Sequence, residues 1–247
     1  MQPERAVAAG ICATIAVLAS HARAAVETAP VLGLSANWSG YVATGPSFSG
    51  VSGSWTVPGG SCLREVTPTA VAFWVGLGGA VRHSKKIEQI GTAVGCSADG
   101  STSYFAWYEF WPKRPVALSL DVERGDRIRA SVDLDGDAVV LDLLDVTTGR
   151  RFHRRFRSER PDASSAEWIG ETPSLKVEGR TALMPLTKFD RVSFSAATAT
   201  AKGRTASIGD GAWAASRVRL GRLHQAQVVP SRLQRAGSAF SLTLRRS

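Results

Sequence analysis

Cysteine and histidine are both scarce in this sequence, and their scarcity excludes several kinds of site. The chain of 247 residues has three cysteines and four histidines. No two histidines have the spacing of a metal-binding pair, and none accompanies a Gly-x-Ser-x-Gly nucleophile motif. We therefore expect neither a metal ion nor a cofactor. His83, His153 and His224 are interpreted as surface residues.

Long apolar runs are also lacking, apart from one short stretch near the amino terminus. Residues 6–18 are mostly apolar and are followed by Ala22-Arg23-Ala24, which has the form of a signal-peptidase site. The run is shorter than the roughly 20 residues that a membrane-spanning helix needs. We predict that residues 1–24 are a removed export signal, that 25–36 form a short lead-in segment and that the domain spans 37–247. The mature protein is expected to be secreted or periplasmic, with no membrane span.

Two cysteines, Cys62 and Cys96, remain after the predicted signal. In an oxidising compartment such a pair most often forms a structural disulfide, and two free thiols are the alternative. The bond would close a loop of 34 residues, since 96 − 62 = 34. A loop of this size should stabilise the fold by roughly 3 kcal/mol. We predict a disulfide between Cys62 and Cys96.

Acidic residues are outnumbered by basic ones, 21 to 30, which gives a formal net charge of +9. Removal of the signal takes away Arg5, Arg23 and Glu4 and leaves +8. The basic residues are scattered, and no recognition-helix pattern accompanies them. A solvated basic surface is therefore expected, and nucleic-acid binding is not.

Helical periodicity is missing as well. Short runs that alternate polar and apolar residues recur between turn residues, which is typical of strands. These runs lie at 55–57, 72–75, 104–111, 116–122, 127–134, 138–145, 151–156, 191–196 and 238–244. Many short strands at hairpin spacing predict an all-β fold, an antiparallel sandwich or barrel, in one domain.

The most aromatic stretch runs from Tyr104 to Pro112. On a strand, Trp107 and Glu109 share one face. Large aromatic residues on both faces indicate that one packs the core while the other lines a cleft, although burial of both faces is the alternative. Glu109 favours the cleft because a carboxylate rarely enters a core unpaired. By composition alone, Glu167 would be an ordinary solvated strand residue.

Six motifs follow one another along the chain. They are Asn37-Trp38-Ser39-Gly40-Tyr41, VSGSWTVP at 51–58, AFWVGLGG at 72–79, IEQIG at 87–91, YFAWYEFWP at 104–112 and AEWI at 166–169. This ordered set resembles the glutamic peptidases, also called eqolisins. The resemblance implies a β-sandwich of two large antiparallel sheets, of the jelly-roll or concanavalin type. It also implies an acid endopeptidase that acts on polypeptides and resists pepstatin. We expect the exported protein to be a monomer.

Position by position, the resemblance implies a catalytic dyad of Gln89 and Glu167. Trp74, Trp107 and Glu109 match positions that line or support the substrate cleft. On this hypothesis an ionised Glu167 takes a proton from the attacking water and returns it to the leaving amine. The Gln89 amide donates a hydrogen bond to the oxyanion.

Three departures from the family pattern concern the surroundings of the dyad. Ile90 stands where threonine is usual, Phe105 where an acidic residue is frequent, and Gly170 where valine is common. These differences affect support of the site and substrate preference more than the dyad itself.

Two other functions remain open from the residues alone. A glycosidase could use Glu109 and Glu167 if their carboxyl groups lay about 5–10 Å apart. A binding module without catalysis could present Trp74, Trp107 and Trp111 as a platform and keep Glu167 as a structural residue.

Overall fold

The computed structural model describes residues 33–62, 67–158, 160–177, 180–222 and 225–245. The predicted signal at 1–24, most of the lead-in segment and His224 lie outside the described residues. Within these ranges the secondary structure is β-strand, joined by turns and loops. None of the described residues form a helix that could span a membrane.

The strands are numbered β1 to β20 in chain order. They are β1 Leu34–Ser35, β2 Trp38–Thr44, β3 Phe48–Thr56, β4 Gly60–Ser61, β5 Thr69–Leu77, β6 Ile87–Cys96, β7 Thr102–Trp111, β8 Val116–Ala117, β9 Arg127–Asp135, β10 Ala138–Asp145, β11 Arg151–Arg157, β12 Ser165–Glu171, β13 Ser174–Val177, β14 Arg180–Leu183, β15 Lys188–Phe189, β16 Val192–Ala201, β17 Arg204–Ser207, β18 Ala214–Arg222, β19 Gln225–Pro230 and β20 Phe240–Leu244.

Sixteen of these strands form one large sheet whose two halves pack against each other. One half contains β11, β10, β9, β3 and β16, and the other contains β18, β2, β12, β5, β6, β7 and β8. The strands pair in antiparallel fashion, except that β1 runs parallel to β18. The expected antiparallel sandwich is confirmed, with one difference. Its two layers belong to a continuous sheet, because β20 and β19 carry the hydrogen-bonded ladder from β16 to β18.

The main apolar core lies between the two layers. Trp168 and Phe73 project into it from one layer, and Phe194 and Leu141 project from the other. Each of these side chains is fully buried, and burial of one such side chain contributes about 2–3 kcal/mol. The Trp168 indole also donates to the Ser52 carbonyl oxygen at 2.7 Å. This donation satisfies the one polar atom that the ring brings into the core.

The strands β5, β6 and β12 are buried at nearly every position, on both faces. The face that points away from the main core is covered by a second apolar cluster, which includes Trp38, Val42, Trp74, Trp107 and Ile169. The pattern of alternating polar and apolar residues that marks a half-exposed strand is therefore absent from these three strands. The candidate site lies on this second face.

The prediction of a strand at 116–122 is mostly wrong. Only Val116 and Ala117 pair with β7. Leu120 and Val122 bury their side chains in the core, but their backbone joins no ladder. The alternation in the sequence reports this side-chain burial, which does not require strand pairing.

The predicted disulfide between Cys62 and Cys96 is confirmed, with Cα atoms 5.3 Å apart. It ties the loop after β4 to the end of β6. His83 and His153 are exposed, as expected. Within the described ranges, no group of three or more His, Cys, Asp and Glu side chains could hold a metal ion.

Candidate active site

Gln89 and Glu167 lie in one row that crosses four neighbouring strands. Glu167 on β12 pairs with Gly76 on β5, Gly76 pairs with Gln89 on β6, and Gln89 pairs with Glu109 on β7. Directly paired residues point to the same face of a sheet. Neighbouring strands lie about 4.8 Å apart, so the backbones of Gln89 and Glu167 are about 10 Å apart. The register thus brings the dyad together from positions 78 residues apart in the chain (167 − 89).

Gly76 separates the two dyad side chains without placing a side chain of its own between them. A Cβ atom here would lie 3.1 Å from the Gln89 Cβ and 2.9 Å from Cζ3 of Trp74. The Trp74 indole therefore leans toward the glycine. Trp74 is fully buried, so it forms part of the floor of the site.

Glu171, at the end of β12, holds Trp74 in place. Trp74 Nε1 donates to Oε2 of Glu171 at 2.8 Å, and Asn37 Nδ2 donates to Oε1 at 3.1 Å. Both carboxyl oxygens of Glu171 are thus occupied. Neither oxygen of Glu167 has a hydrogen-bond partner of good geometry in the described part of the chain. Of these two carboxyl groups, Glu167 is therefore the one whose oxygens are left without a well-aligned partner.

Four buried side-chain atoms on this face lack a hydrogen-bond partner among the described residues. They are Oε1 and Oε2 of Glu167, Oε1 of Gln89 and Nε1 of Trp107. Buried polar atoms in folded proteins are nearly always paired. A group of four on one face therefore marks a place where a bound molecule would complete the hydrogen bonds.

The loop after β5 returns to the same face. The Ala80 amide donates to Ser165 Oγ at 3.3 Å, and the Gly79 amide donates to Ser84 Oγ at 2.6 Å. Ala80 is buried in the second apolar cluster. Gly79 has a φ of 94°, which a residue with a Cβ rarely adopts. This turn brings the loop beside the Glu167 end of the row, where Glu167 is fully buried.

Burial governs the acidity of the carboxyl groups at this end of the row. It raises the pKa of Glu167 well above its ordinary value; the Ser165 hydroxyl partly opposes the rise, and the negative charges of Asp162 and Glu88 add to it. Burial also raises the pKa of Glu171 to about 7 and that of Glu88 to about 7. Loss of solvent disfavours the charged form of each acid.

Glu109 closes the other end of the row. Burial, followed by the negative charge of Glu171, raises the pKa of Glu109 to about 8, while a hydrogen bond from Gln89 lowers it. That bond joins Gln89 Nε2 to Glu109 Oε2 at 2.6 Å. In acid, Glu109 and Glu171 are therefore both neutral, and the face carries little negative charge.

The structure places on one face all five site residues predicted from the sequence, namely Gln89, Glu167, Trp74, Trp107 and Glu109. Their roles stay predictions. Sequence reasoning missed Gly76 as the spacer and Asn37 as the support of Glu171. Both stand within the motifs quoted above. A glycine within a strand run is an available signal, because glycine in a strand often marks a close approach of other groups.

The sequence profile of the peptidase A4 family matches residues 36–231. This chain belongs to the peptidase A4 family. Aspergillopepsin-2 from Aspergillus niger is 30% identical over 201 residues, which cover 71% of this chain and 68% of that relative. The resemblance to the glutamic peptidases is confirmed, and the protein is a peptidase.

Solved structures of three peptidases are similar to this one. Scytalido-glutamic peptidase, solved with a peptide-based transition state analog, matches with a TM-score of 0.72 and 26% identity over 85% of this chain and 98% of that chain. SCP-B, an eqolisin solved with the tripeptide Ala-Ile-His, matches with a TM-score of 0.69 and 26% identity over the same shares. Aspergilloglutamic peptidase from Aspergillus niger has a TM-score of 0.60 and 25% identity, over 72% and 99%. These matches confirm the β-sandwich.

The raised carboxyl pKa values make the peptidase most stable in acid. In the unfolded chain the buried glutamates have a pKa of about 4.3. In the folded protein the pKa is about 7 for Glu88 and Glu171, about 8 for Glu109, and raised well above the ordinary value for Glu167. Between these values the folded state binds more protons, so stability falls as pH rises. We expect the melting temperature to fall by about 10 °C from pH 4.5 to 8, as measured by circular dichroism. Glu88→Gln should flatten the curve, and a maximum at pH 7–8 would contradict the expectation.

Gly76→Ala should disturb the dyad more than the fold. The new methyl group would press on Gln89 and Trp74, and overpacking of this kind costs about 1–3 kcal/mol. We expect kcat/KM for a peptide substrate to fall at least tenfold, with a melting temperature lowered by only a few degrees. Gly95→Ala is the matched control on the same face of β6, where a Cβ would meet only Ser103 Oγ, at 2.9 Å. Equal activity in the two variants would show that Gly76 is no spacer.

Proposed function

We propose that this peptidase is an acid endopeptidase in which Glu167 acts as general base and acid and Gln89 donates to the oxyanion. The cross-strand row is the observation that carries the proposal. It sets a buried carboxyl group without a well-aligned partner and a buried amide on either side of Gly76. Similar peptidases were solved with a peptide-based analog and with a tripeptide, which supports polypeptides as the substrate.

The reaction needs one proton to be moved twice. In the first step, ionised Glu167 takes a proton from water while the water oxygen bonds to the scissile carbonyl carbon. The π electrons of the carbonyl move to its oxygen, and Gln89 Nε2 donates a hydrogen bond to that oxyanion. In the second step the C–N bond breaks, Glu167 returns the proton to the amine nitrogen, and the carboxylate is restored.

The neighbouring acids explain why this chemistry belongs to acidic solution. The oxyanion is negative, and ionised Glu109 and Glu171 would repel it. Their raised pKa values, about 8 and about 7, keep both neutral in acid. The amide of Gln89 has no proton to lose in this range, so it remains a donor. A histidine base would already be protonated there.

Burial also changes the strength of Glu167 as a base and as an acid. A carboxyl with a raised pKa is a stronger base than a solvated glutamate when ionised, and it holds its proton better for the leaving amine. Water and the substrate amide that enter the site solvate the charged form and restore part of its ionisation in mild acid.

The glycosidase alternative is disfavoured by the register. Glu109 and Glu167 lie three strand spacings apart in the row, so their carboxyl groups would have to lean toward each other over two intervening positions to flank one sugar ring. Gln89 stands between them and is hydrogen-bonded to Glu109. A paired amide at that point leaves no place for a sugar ring between two acids.

Export and assembly complete the proposal. The Cys62–Cys96 disulfide supports an oxidising compartment, so we place the mature peptidase outside the cell or in the periplasm. It acts as a monomer on polypeptides and does not bind nucleic acid.

Substitution of the dyad should abolish cleavage without unfolding the protein. We expect Glu167→Gln to lower kcat at least about a thousandfold and Gln89→Ala at least about a hundredfold, the usual cost of losing a general base or an oxyanion donor. Circular dichroism checks the fold, and hydrolysis of a denatured protein checks activity. Glu123→Gln, at an exposed loop carboxyl, serves as the control and should be fully active. If Glu167→Gln kept most activity, the dyad assignment would be wrong.

The rate of cleavage should peak in acid, at about pH 4–6, and decline toward neutrality. The decline follows from ionisation of Glu109 and Glu171 beside the oxyanion. The measurement is cleavage of a denatured protein over a pH series, with and without pepstatin. Pepstatin should not inhibit, since the site lacks a pair of aspartates. A maximum at neutral or alkaline pH would remove the proposed mechanism.

A further inference from the structure

The Gln89 amide turns its nitrogen toward Glu109, so one of its two N–H groups is engaged there. Its Nε2 donates to Glu109 Oε2 at 2.6 Å. Its Oε1 is buried and has no partner among the described residues. The nitrogen and the oxygen are two branches of one planar amide, so while Nε2 faces Glu109 the branch turned away from it is the carbonyl oxygen. A carbonyl oxygen would repel an oxyanion.

We propose that Glu109 is a positioning residue whose protonation state sets the orientation of the Gln89 amide. The proposal rests on the function proposed above, in which Gln89 is the oxyanion donor. A protonated carboxyl is a hydrogen-bond donor. Once the Gln89 amide has turned, its Oε1 faces Glu109 and can accept that hydrogen bond. The last torsion of glutamine is broad and roughly two-fold, so the turn is accessible.

The two states differ by one proton. When Glu109 is protonated, its O–H donates to Gln89 Oε1, and Nε2 with its two N–H groups faces the Glu167 side of the row. When Glu109 is ionised, it has no proton to donate and can only accept. It then binds Nε2, as in the structure, which leaves at most one N–H group for the oxyanion and turns the amide oxygen away from Glu109. Glu109 is only partly buried, so its proton exchanges with solvent.

The surroundings of Glu109 set where this change occurs. Glu171, across the face on β12, is the charged group that acts on it, and Glu167 lies beyond Gln89. The neighbouring strand β8 carries no charge, since it consists of Val116 and Ala117. Lys113 and Arg114, in the turn after β7, are exposed. Burial and Glu171 together raise the pKa of Glu109 to about 8, so the productive orientation prevails throughout the acidic range.

Two variants of Glu109 distinguish the effect of its hydrogen bond on the Gln89 orientation from the effect of its negative charge. In Glu109→Gln the new amide can donate to Gln89 Oε1 at every pH, so we expect kcat at the acid optimum to stay within threefold of the wild type. Between pH 7 and pH 9 its kcat should fall less steeply than that of the wild type, because only Glu171 then ionises beside the oxyanion. Glu109→Leu also removes the charge but offers no hydrogen bond. It should lower kcat at the acid optimum at least tenfold, with KM changed by less than twofold.

The outcomes are distinct. Removal of repulsion alone predicts equal kcat values in Glu109→Gln and Glu109→Leu, and that result would overturn the proposal. Equal loss of kcat in both would overturn it too, because the carboxyl would then be needed for another reason. If Glu167→Gln and Gln89→Ala remain active, the proposed function fails. If they are inactive while Glu109→Gln keeps the wild-type pH profile, the positioning role alone fails.

A readout without activity covers the case in which Glu109→Leu does not fold. The side-chain amide signals of Gln89 in a ¹⁵N-labelled sample, assigned by their loss in Gln89→Ala, report on the bond to Glu109. In the wild type we expect them to shift between pH 6 and pH 9, with a midpoint at about 8. In Glu109→Gln they should not titrate in this range. Wild-type signals that stay constant would contradict a change of orientation.

Discussion

The register of β12, β5, β6 and β7 is the constraint on which the site depends. It is held from the other side of the sheet, where Trp168 is buried in the main core and bonded to the Ser52 carbonyl oxygen. A slip of one residue would move every side chain to the opposite face. Glu167 would then enter the core and Trp168 the site. The large apolar ring therefore fixes the position of the carboxyl group beside it in the chain.

Desolvation gives this site its chemistry and also limits the stability of the fold. The described residues place no cation beside Glu167, Glu109 or Glu171, so burial is the main cause of their raised pKa values. In acid these carboxyl groups are neutral, and their burial lowers the free energy of unfolding only slightly. At neutral pH they would have to be buried as charges, which destabilises the fold much more. The same carboxyl groups therefore favour both catalysis and folding in acid. The apolar side chains of the main core do not titrate in this pH range, so they stabilise the sandwich in acid and at neutral pH alike.

The sequence predicted the strands with one exposed face better than those buried on both faces. β9 and β10 alternate buried and exposed residues, and their ranges were predicted almost to the residue. β6 is buried along almost its whole length, so its sequence carries no period of two, and it was not among the predicted strands. The segment 116–122 failed for the opposite reason, because its alternation reflects burial without pairing.

The candidate site shows a similar division. Ordered motifs pointed to Gln89 and Glu167 as the proposed dyad, because residue identity is enough for a resemblance. The spacer role of Gly76 could not be read from the chain, since it depends on which residue of β5 pairs with both Glu167 and Gln89. The protonation state of Glu109 could not be predicted from the sequence either. The pKa of Glu109 depends on burial and on Glu171, which lies 62 residues further along the chain (171 − 109).

An amide at position 89 solves a problem that a third acid would create. Gln89 stands between Glu167 and Glu109, and a carboxyl there would put three acids into one row of four positions, separated only by Gly76. Acids so close cannot all ionise, and they would share protons as coupled groups. The amide has no charge, yet it offers both a donor and an acceptor. It can therefore bond to Glu109 in either protonation state without adding a charge next to Glu167, which suits the proposed use of that one carboxyl group first as base and then as acid.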